Sequence, residues 1–184
     1  MNRYITPEKT DKNGIKDLRK KLGMTKAEFV RFIHSSKATV ERWEKSDEIT
    51  GPITVLVEIL KRHPEIVDEF IIPKRKAPLR LYYMHKDSIC TIIDVFMPQQ
   101  KIEIHNYTEN PVFRAFGVKE RPSFRDYNDF LKSRCFPEER DMQKLTLREL
   151  GLPFYDPFMI IEKTQGRMAE DDFWIKIERQ GEND

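Results

Sequence analysis

The sequence predicts an α+β protein in two parts: an N-terminal all-α domain of five helices, and an antiparallel sheet domain with helices on one side. Three observations carry this expectation. Before residue 72 the apolar residues recur at helical spacing throughout. Between Leu79 and Tyr107 they fall into three short runs with turn residues between them. Between these stretches lies Ile72-Pro73-Lys74-Arg75-Lys76-Ala77-Pro78, where two prolines flank three cations and neither helix nor strand should cross. The expected division is therefore a domain over 1–72, a linker over 73–78 and a domain over 79–184.

The chain has 184 residues, 39% hydrophobic and 35% charged, a globular composition with a heavily charged surface. Its net charge of +2 is unevenly spread. Residues 1–76 hold 17 Lys/Arg against 12 Asp/Glu, which leaves 16 against 19 for the remainder. A basic front and a mildly acidic back point to different partners for the two parts. The start lacks the apolar stretch of a signal peptide, and the run Ile53–Leu60 is too short for a membrane span and is broken by Glu58. Cys90 and Cys135 stand far apart without CxxC spacing, as expected of reduced thiols in a cytoplasmic protein that does not associate with membranes.

In the front part, Ile15, Leu18 and Leu22 share one face of a first helix that ends near Gly23. Thr25 caps a second helix, and Glu28 three residues later completes a capping box. Its inward residues are Phe29, Phe32 and Ile33. After a tight turn at His34-Ser35, Ser36 caps a third helix that buries Val40 and Trp43. Gly51-Pro52 opens a fourth, with Ile53, Leu56, Val57 and Leu60 as its apolar stripe, and Pro64 starts a short fifth ending near Phe70.

The second and third helices, with so short a turn between them, form a helix-turn-helix. The third would enter a major groove of double-stranded DNA while the second crosses the backbone. At the exposed N-terminal end of the third helix stand Ser36, Lys37, Ala38, Thr39, Glu41 and Arg42. Arg42 suits guanine bidentately, Thr39 a base edge or phosphate, and Ala38 a thymine methyl. Glu41 would accept from a cytosine amino group or repel phosphate and so set register. Thr25 and Lys26 would meet phosphate at the start of the second helix.

The residues Leu22-Gly23-Met24-Thr25, Glu28-Phe29, Ser36, Thr39-Val40, Arg42-Trp43-Glu44 and Gly51-Pro52 resemble the phage-repressor-like (XRE/Cro-type) helix-turn-helix family, especially its antitoxin-type members, over residues 14–71. Two positions depart from it. Lys26 stands where the family usually has Gln, and His34-Ser35 where it has Gly-Val. Lysine can replace the lost phosphate contact electrostatically, whereas His34 must take up a backbone conformation that suits glycine.

In the back part, Leu79–Met84, Ile89–Phe96 and Lys101–Tyr107 read as strands, and Val112–Phe116 as a fourth strand or a turn of helix. Ser123 caps a helix carrying Phe124, Tyr127, Phe130 and Leu131. A second helix runs from Glu138 to Leu150, and a third from Asp156-Pro157 to Gly166. A last strand covers Phe173–Ile177. The acidic Glu170-Asp171-Asp172 lacks further ligands at metal-binding spacing, and His85, His105, Cys90 and Cys135 form no zinc pattern. No catalytic constellation, metal or cofactor is expected. Phe154 and Tyr155, in a segment rich in aromatics and proline, are candidates for partner contact together with Glu170, Asp171 and Asp172; burial in the core is the competing reading. Arg134-Cys135-Phe136-Pro137, Tyr155-Asp156-Pro157 and Gly166-Arg167-Met168 through Trp174 resemble uncharacterised domains of Firmicutes mobile elements that accompany kinase toxins of the HipA type.

Two functions follow as expectations. One is an antitoxin-type transcriptional regulator, dimeric on a two-fold operator, whose residues 79–184 bind a toxin kinase or self-associate. The alternative is a phage or mobile-element anti-CRISPR protein whose acidic back part inhibits a Cas9-type CRISPR nuclease.

Overall fold

A computed structural model describes residues 3–139 and 143–181. The chain divides into two compact units, Met1–Ile72 and Pro73–Asp184.

The first unit is built on strand β1 (Lys9–Thr10), helices α1 (Lys12–Lys21), α2 (Lys26–Phe32) and α3 (Lys37–Trp43), strand β2 (Ile49–Thr50) and helix α4 (Pro52–Arg62). It is not all-α. β1 and β2 pair antiparallel, Lys9 opposite Thr50 and Thr10 opposite Ile49, a ladder too short to leave a period in the sequence. The Thr54 hydroxyl donates to Pro7 O at 2.8 Å and holds the segment leading into β1. A Cβ at position 14 would meet Thr10 Oγ1, so a larger residue there would require the Thr10 side chain to turn away. Ile15, Leu18, Phe29, Val40, Ile49, Ile53, Val57, Leu60 and Val67 form one core, each burying a side chain worth about 1.5–3 kcal/mol. The fifth helix is also corrected. Residues Pro64–Phe70 form a 3₁₀ helix, with Ile66 N–H donating to His63 O and Ile71 N–H to Asp68 O.

The second unit holds β3 (Leu79–His85), β4 (Ser88–Phe96), β5 (Lys101–Asn106), α5 (Phe124–Ser133), α6 (Gln143–Glu149), α7 (Pro157–Thr164) and β6 (Phe173–Arg179). The sheet order is β5-β4-β3-β6, all antiparallel. Leu81, Tyr83, Ile93, Val95, Ile102 and Ile175 on one face pack with Tyr127, Phe130, Leu131, Leu147, Ile160 and Ile161 from the helices. Between Tyr83 and Met84 the partners on β4 skip from Thr91 to Ile89, so Cys90 is the extra residue of a bulge.

Two expectations in this unit change. Val112–Phe116 is no strand: Pro111–Phe113 is a single 3₁₀ turn, capped by the Asn110 side chain accepting from Val112 N–H. The helix expected over Glu138–Leu150 runs over Gln143–Glu149; Glu138 and Glu139 lie in a turn, and residues 140–142 fall outside the described residues.

Residues 73–78, expected as a linker, belong to the second unit as a strap across the other face of its sheet. Arg80 Nη1 donates to Pro73 O at 2.6 Å, Arg75 pairs with Glu178 at 3.1 Å, and Gln180 N–H donates to Pro78 O at 3.0 Å. Beneath the strap, Arg80 (2% exposed) makes two parallel hydrogen bonds to Asp94, at 2.7 and 2.6 Å. The boundary at 72/73 moves three cations and redistributes the charge. Residues 1–72 carry 14 Lys/Arg against 12 Asp/Glu, and residues 73–184 carry 19 against 19.

Candidate nucleic-acid interface

The helix-turn-helix is built by its caps. At α2 the Thr25 hydroxyl accepts from Glu28 N–H at 3.2 Å while the Glu28 carboxylate accepts from Thr25 N–H at 2.7 Å. α2 ends at a sharp turn in which His34 takes φ +48°, the left-handed region that glycine enters most readily. Ser35 N–H closes the turn on Val30 O at 3.1 Å. Ser36 then caps α3, its hydroxyl accepting from Thr39 N–H at 3.0 Å and sharing a 2.8 Å bond with the Thr39 hydroxyl.

The angle between these helices is held by a residue that sequence reading did not treat as functional. Glu44 follows α3 and is 7% exposed. Its carboxylate accepts from Arg19 Nε of α1 at 2.9 Å and from Lys26 Nζ of α2 at 2.8 Å. Burial works against its charge, but the hydrogen bonds from Lys26 and Arg19 outweigh that and hold the carboxyl below its ordinary range. One acid thus ties all three helices together. The available signal was a carboxylate directly after the inward-facing Trp43.

This network changes the expected role of Lys26, whose ammonium is committed to Glu44 rather than presented to phosphate. The start of α2 is also occupied. The Glu28 carboxyl, lowered by its bonds to Thr25, places a negative charge on the cap where a phosphate was expected.

The outer side of α3 is more open. Lys37 and Ala38 are exposed, and Lys37 has only a 3.9 Å contact to Glu41 one turn on. Ala38, Glu41, Arg42, Lys45 and Ser46 line a shallow concavity. Ala38, Glu41, Arg42 and Lys45 follow the i, i+3, i+4, i+7 spacing of one helix face. The exposed Arg42 guanidinium has no hydrogen bond or ion pair among the described residues, so a nucleic acid would displace no internal partner. Lys45 joins this face from just beyond the helix, past the limit that sequence reading gave it.

In the second unit the candidate partner residues do not form one site. Asp171 accepts from Arg134 at 2.6 and 3.0 Å and from Phe173 N–H at 3.0 Å. Those bonds, the one from Arg134 foremost, lower its carboxyl against the cost of burial. Arg134 itself is 7% exposed and also donates to Gly166 O, so Asp171 helps hold the loop before β6. Asp172 faces Lys86 at 3.4 Å, and Glu170 is exposed. Tyr155 is half-buried, its hydroxyl donating to Phe136 O at 2.8 Å, whereas Phe154 is 58% exposed. Both cysteines are buried free thiols; burial pushes the Cys135 thiol up to about 12, and its Sγ lies 3.2 Å from Leu131 O. Among the described residues no three His, Cys, Asp or Glu side chains converge as metal ligands, and no helix is long and apolar enough to cross a membrane.

No protein-family model and no solved structure matches the chain. A 52-residue segment, 28% of the chain, is 33% identical to the antitoxin HigA-2 of Vibrio cholerae. The match covers 50% of that protein, so the chain spans about half the length of the curated relative it resembles.

Proposed function

We propose that this chain is an antitoxin-type regulator that binds double-stranded DNA through its first unit. The observation that carries the reading is the open face of α3, where Lys37, Ala38 and Arg42 stand exposed on a helix held at a fixed angle by Glu44, with Lys45 exposed just beyond it. The similarity to an antitoxin supports it. α3 enters the major groove, Arg42 addresses a guanine, and Thr39 and Ala38 meet neighbouring base edges. Ser36 and Thr25 act as caps that hold the reading head, and Lys26 positions α2. The protein works in the cytoplasm as a homodimer on a two-fold site, without cofactor or catalysis. Its second unit serves protein association, with a toxin kinase or with itself; of the residues first considered for that contact, Phe154 and Glu170 keep their side chains available.

The anti-CRISPR alternative rested on an acidic back part. With the boundary at residue 72 the second unit is neutral, and no observation favours that reading.

Fluorescence anisotropy on a DNA site selected from a random library tests the proposal. Arg42→Ala is expected to lower affinity for that site by about 1–3 kcal/mol and to relax preference at one base position. Equal losses on every sequence would make Arg42 a phosphate contact. Failure of the intact protein to select any duplex would overturn DNA reading altogether.

A further inference from the structure

The two edges of the sheet are finished differently. In β4–β5, Tyr107 N–H donates to Cys90 O, so the odd-numbered residues of β5 bond to β4. The N–H and C=O groups of Ile102, Ile104 and Asn106 therefore point away from the sheet. The same alternation turns the odd-numbered residues of β6 outward, and there the protein supplies partners over the first half of the strand, at Phe173 and Ile175. Ile175 N–H donates to Gln165 O at 2.7 Å, and Phe173 O accepts from Arg134 Nη2 at 3.0 Å. On β5 no such partner exists among the described residues. Nor is this edge blunted by proline, and its pairing with β4 runs in register without a bulge.

We propose that the β5 edge pairs antiparallel with β5 of a second copy of this chain, joining two four-stranded sheets into one. The inference deepens the homodimer of the preceding reading by giving it an interface. Outward-facing residues must oppose one another, which admits only registers that put even-numbered residues opposite even-numbered ones. Charge chooses among those registers. With the two-fold axis on Ile104, residues 102–106 of the strand overlap, and Glu103 stands opposite His105 of the second copy, twice by symmetry. Centring on Glu103 instead sets that carboxylate against its own counterpart, and centring on His105 sets the imidazole against its own. Centring on Ile102 pairs only the first few residues, because Gln100 leaves the strand in a left-handed conformation. Glu103 and His105 are both exposed, on the face opposite the helices, and Lys101 already lies 2.7 Å from Glu103.

Sedimentation equilibrium on the full chain tests this without touching the core. The unmodified protein is expected to dimerise, and His105→Glu, which sets acids opposite each other, to raise the dimer dissociation constant about tenfold or more. Glu103→Lys is expected to weaken it similarly. Combined with His105→Glu it restores dimerisation, because opposite charges again face each other. A chain that stays monomeric, or a dimer indifferent to all three variants, overturns the proposal. DNA affinity measured on the same samples is a separate readout: a dimer that ignores duplex DNA would sink the regulator reading and leave this interface standing.

Discussion

Removing the Asp94 carboxylate is expected to destabilise the second unit by about 3 kcal/mol. Arg80 is 2% exposed and gives Asp94 two hydrogen bonds, with a third to Pro73 O at 2.6 Å. In Asp94→Ala the guanidinium stays under the strap with Pro73 O and the Tyr82 hydroxyl as partners but no carboxylate bonded to it. Breaking a buried pair from one side costs about 3–5 kcal/mol. The lower end applies here, because a cleft lined by Pro73, Lys74 and Asp94 opens beside the pair and Glu178 lies opposite Arg80 on β6. Each unit contains one tryptophan, so Trp174 in a Trp43→Phe background reports the second unit alone. Its indole donates to Lys86 O at 2.7 Å and stacks with Arg167, which ties its emission to the fold of β6. With a urea slope of about 1–3 kcal/mol/M, the midpoint should fall by roughly 1–3 M at unchanged slope. The double variant Arg80→Met, Asp94→Leu should recover much of the loss, since a well-packed apolar pair carries no desolvation cost. A loss of stability in Asp94→Ala no larger than that of an exposed ion pair, under about 0.5 kcal/mol, would refute the reasoning.

Glu44→Gln is expected to destabilise the first unit at neutral pH by about 1–2 kcal/mol, the value of its two charge-assisted hydrogen bonds reduced because Lys26 is 39% exposed. The folded-state pKa of Glu44 is lowered, so its contribution is present above the ordinary value of 4.5 and is lost as pH falls through the folded value. Urea midpoints read from Trp43 in a Trp174→Phe background should therefore converge for the two proteins in acid; a constant gap would count against the charge. His34→Val should cost about 1–2 kcal/mol in the same assay, because a β-branched residue is poorly suited to φ +48°, whereas His34→Gly should keep the fold. If both variants behave alike, the turn is not held in the left-handed region.

Much of this architecture was legible in the sequence because it is local. Thr25 with Glu28, Ser36, Ser123 and Asp156 announce their helices through hydrogen bonds that close within three residues. The apolar stripe of α4 and the alternation in β5 report the face each element buries. Less legible were features whose partners are distant in the chain. The β1–β2 pair joins Lys9 to Thr50 and Thr10 to Ile49 in strands of two residues, and the bulge at Cys90 shows only when β3 and β4 are set side by side. The 73–78 segment looked like a tether because prolines and cations usually mark one. Its contacts to Arg80, Glu178 and Gln180 exist only once the sheet has formed.

The candidate interface divides along the same line. Sequence alone determined the helix-turn-helix, the positions of its caps and the residues on the outer side of α3, since helical period and capping chemistry are properties of neighbours. Only the tertiary structure decided which of those side chains are available. Lys26 and Arg42 are both cations at plausible contact positions, yet Glu44 draws in the first and leaves the second exposed. A charge is free or committed according to what folding brings within about 3–4 Å of it, and spacing along the chain does not encode that distance.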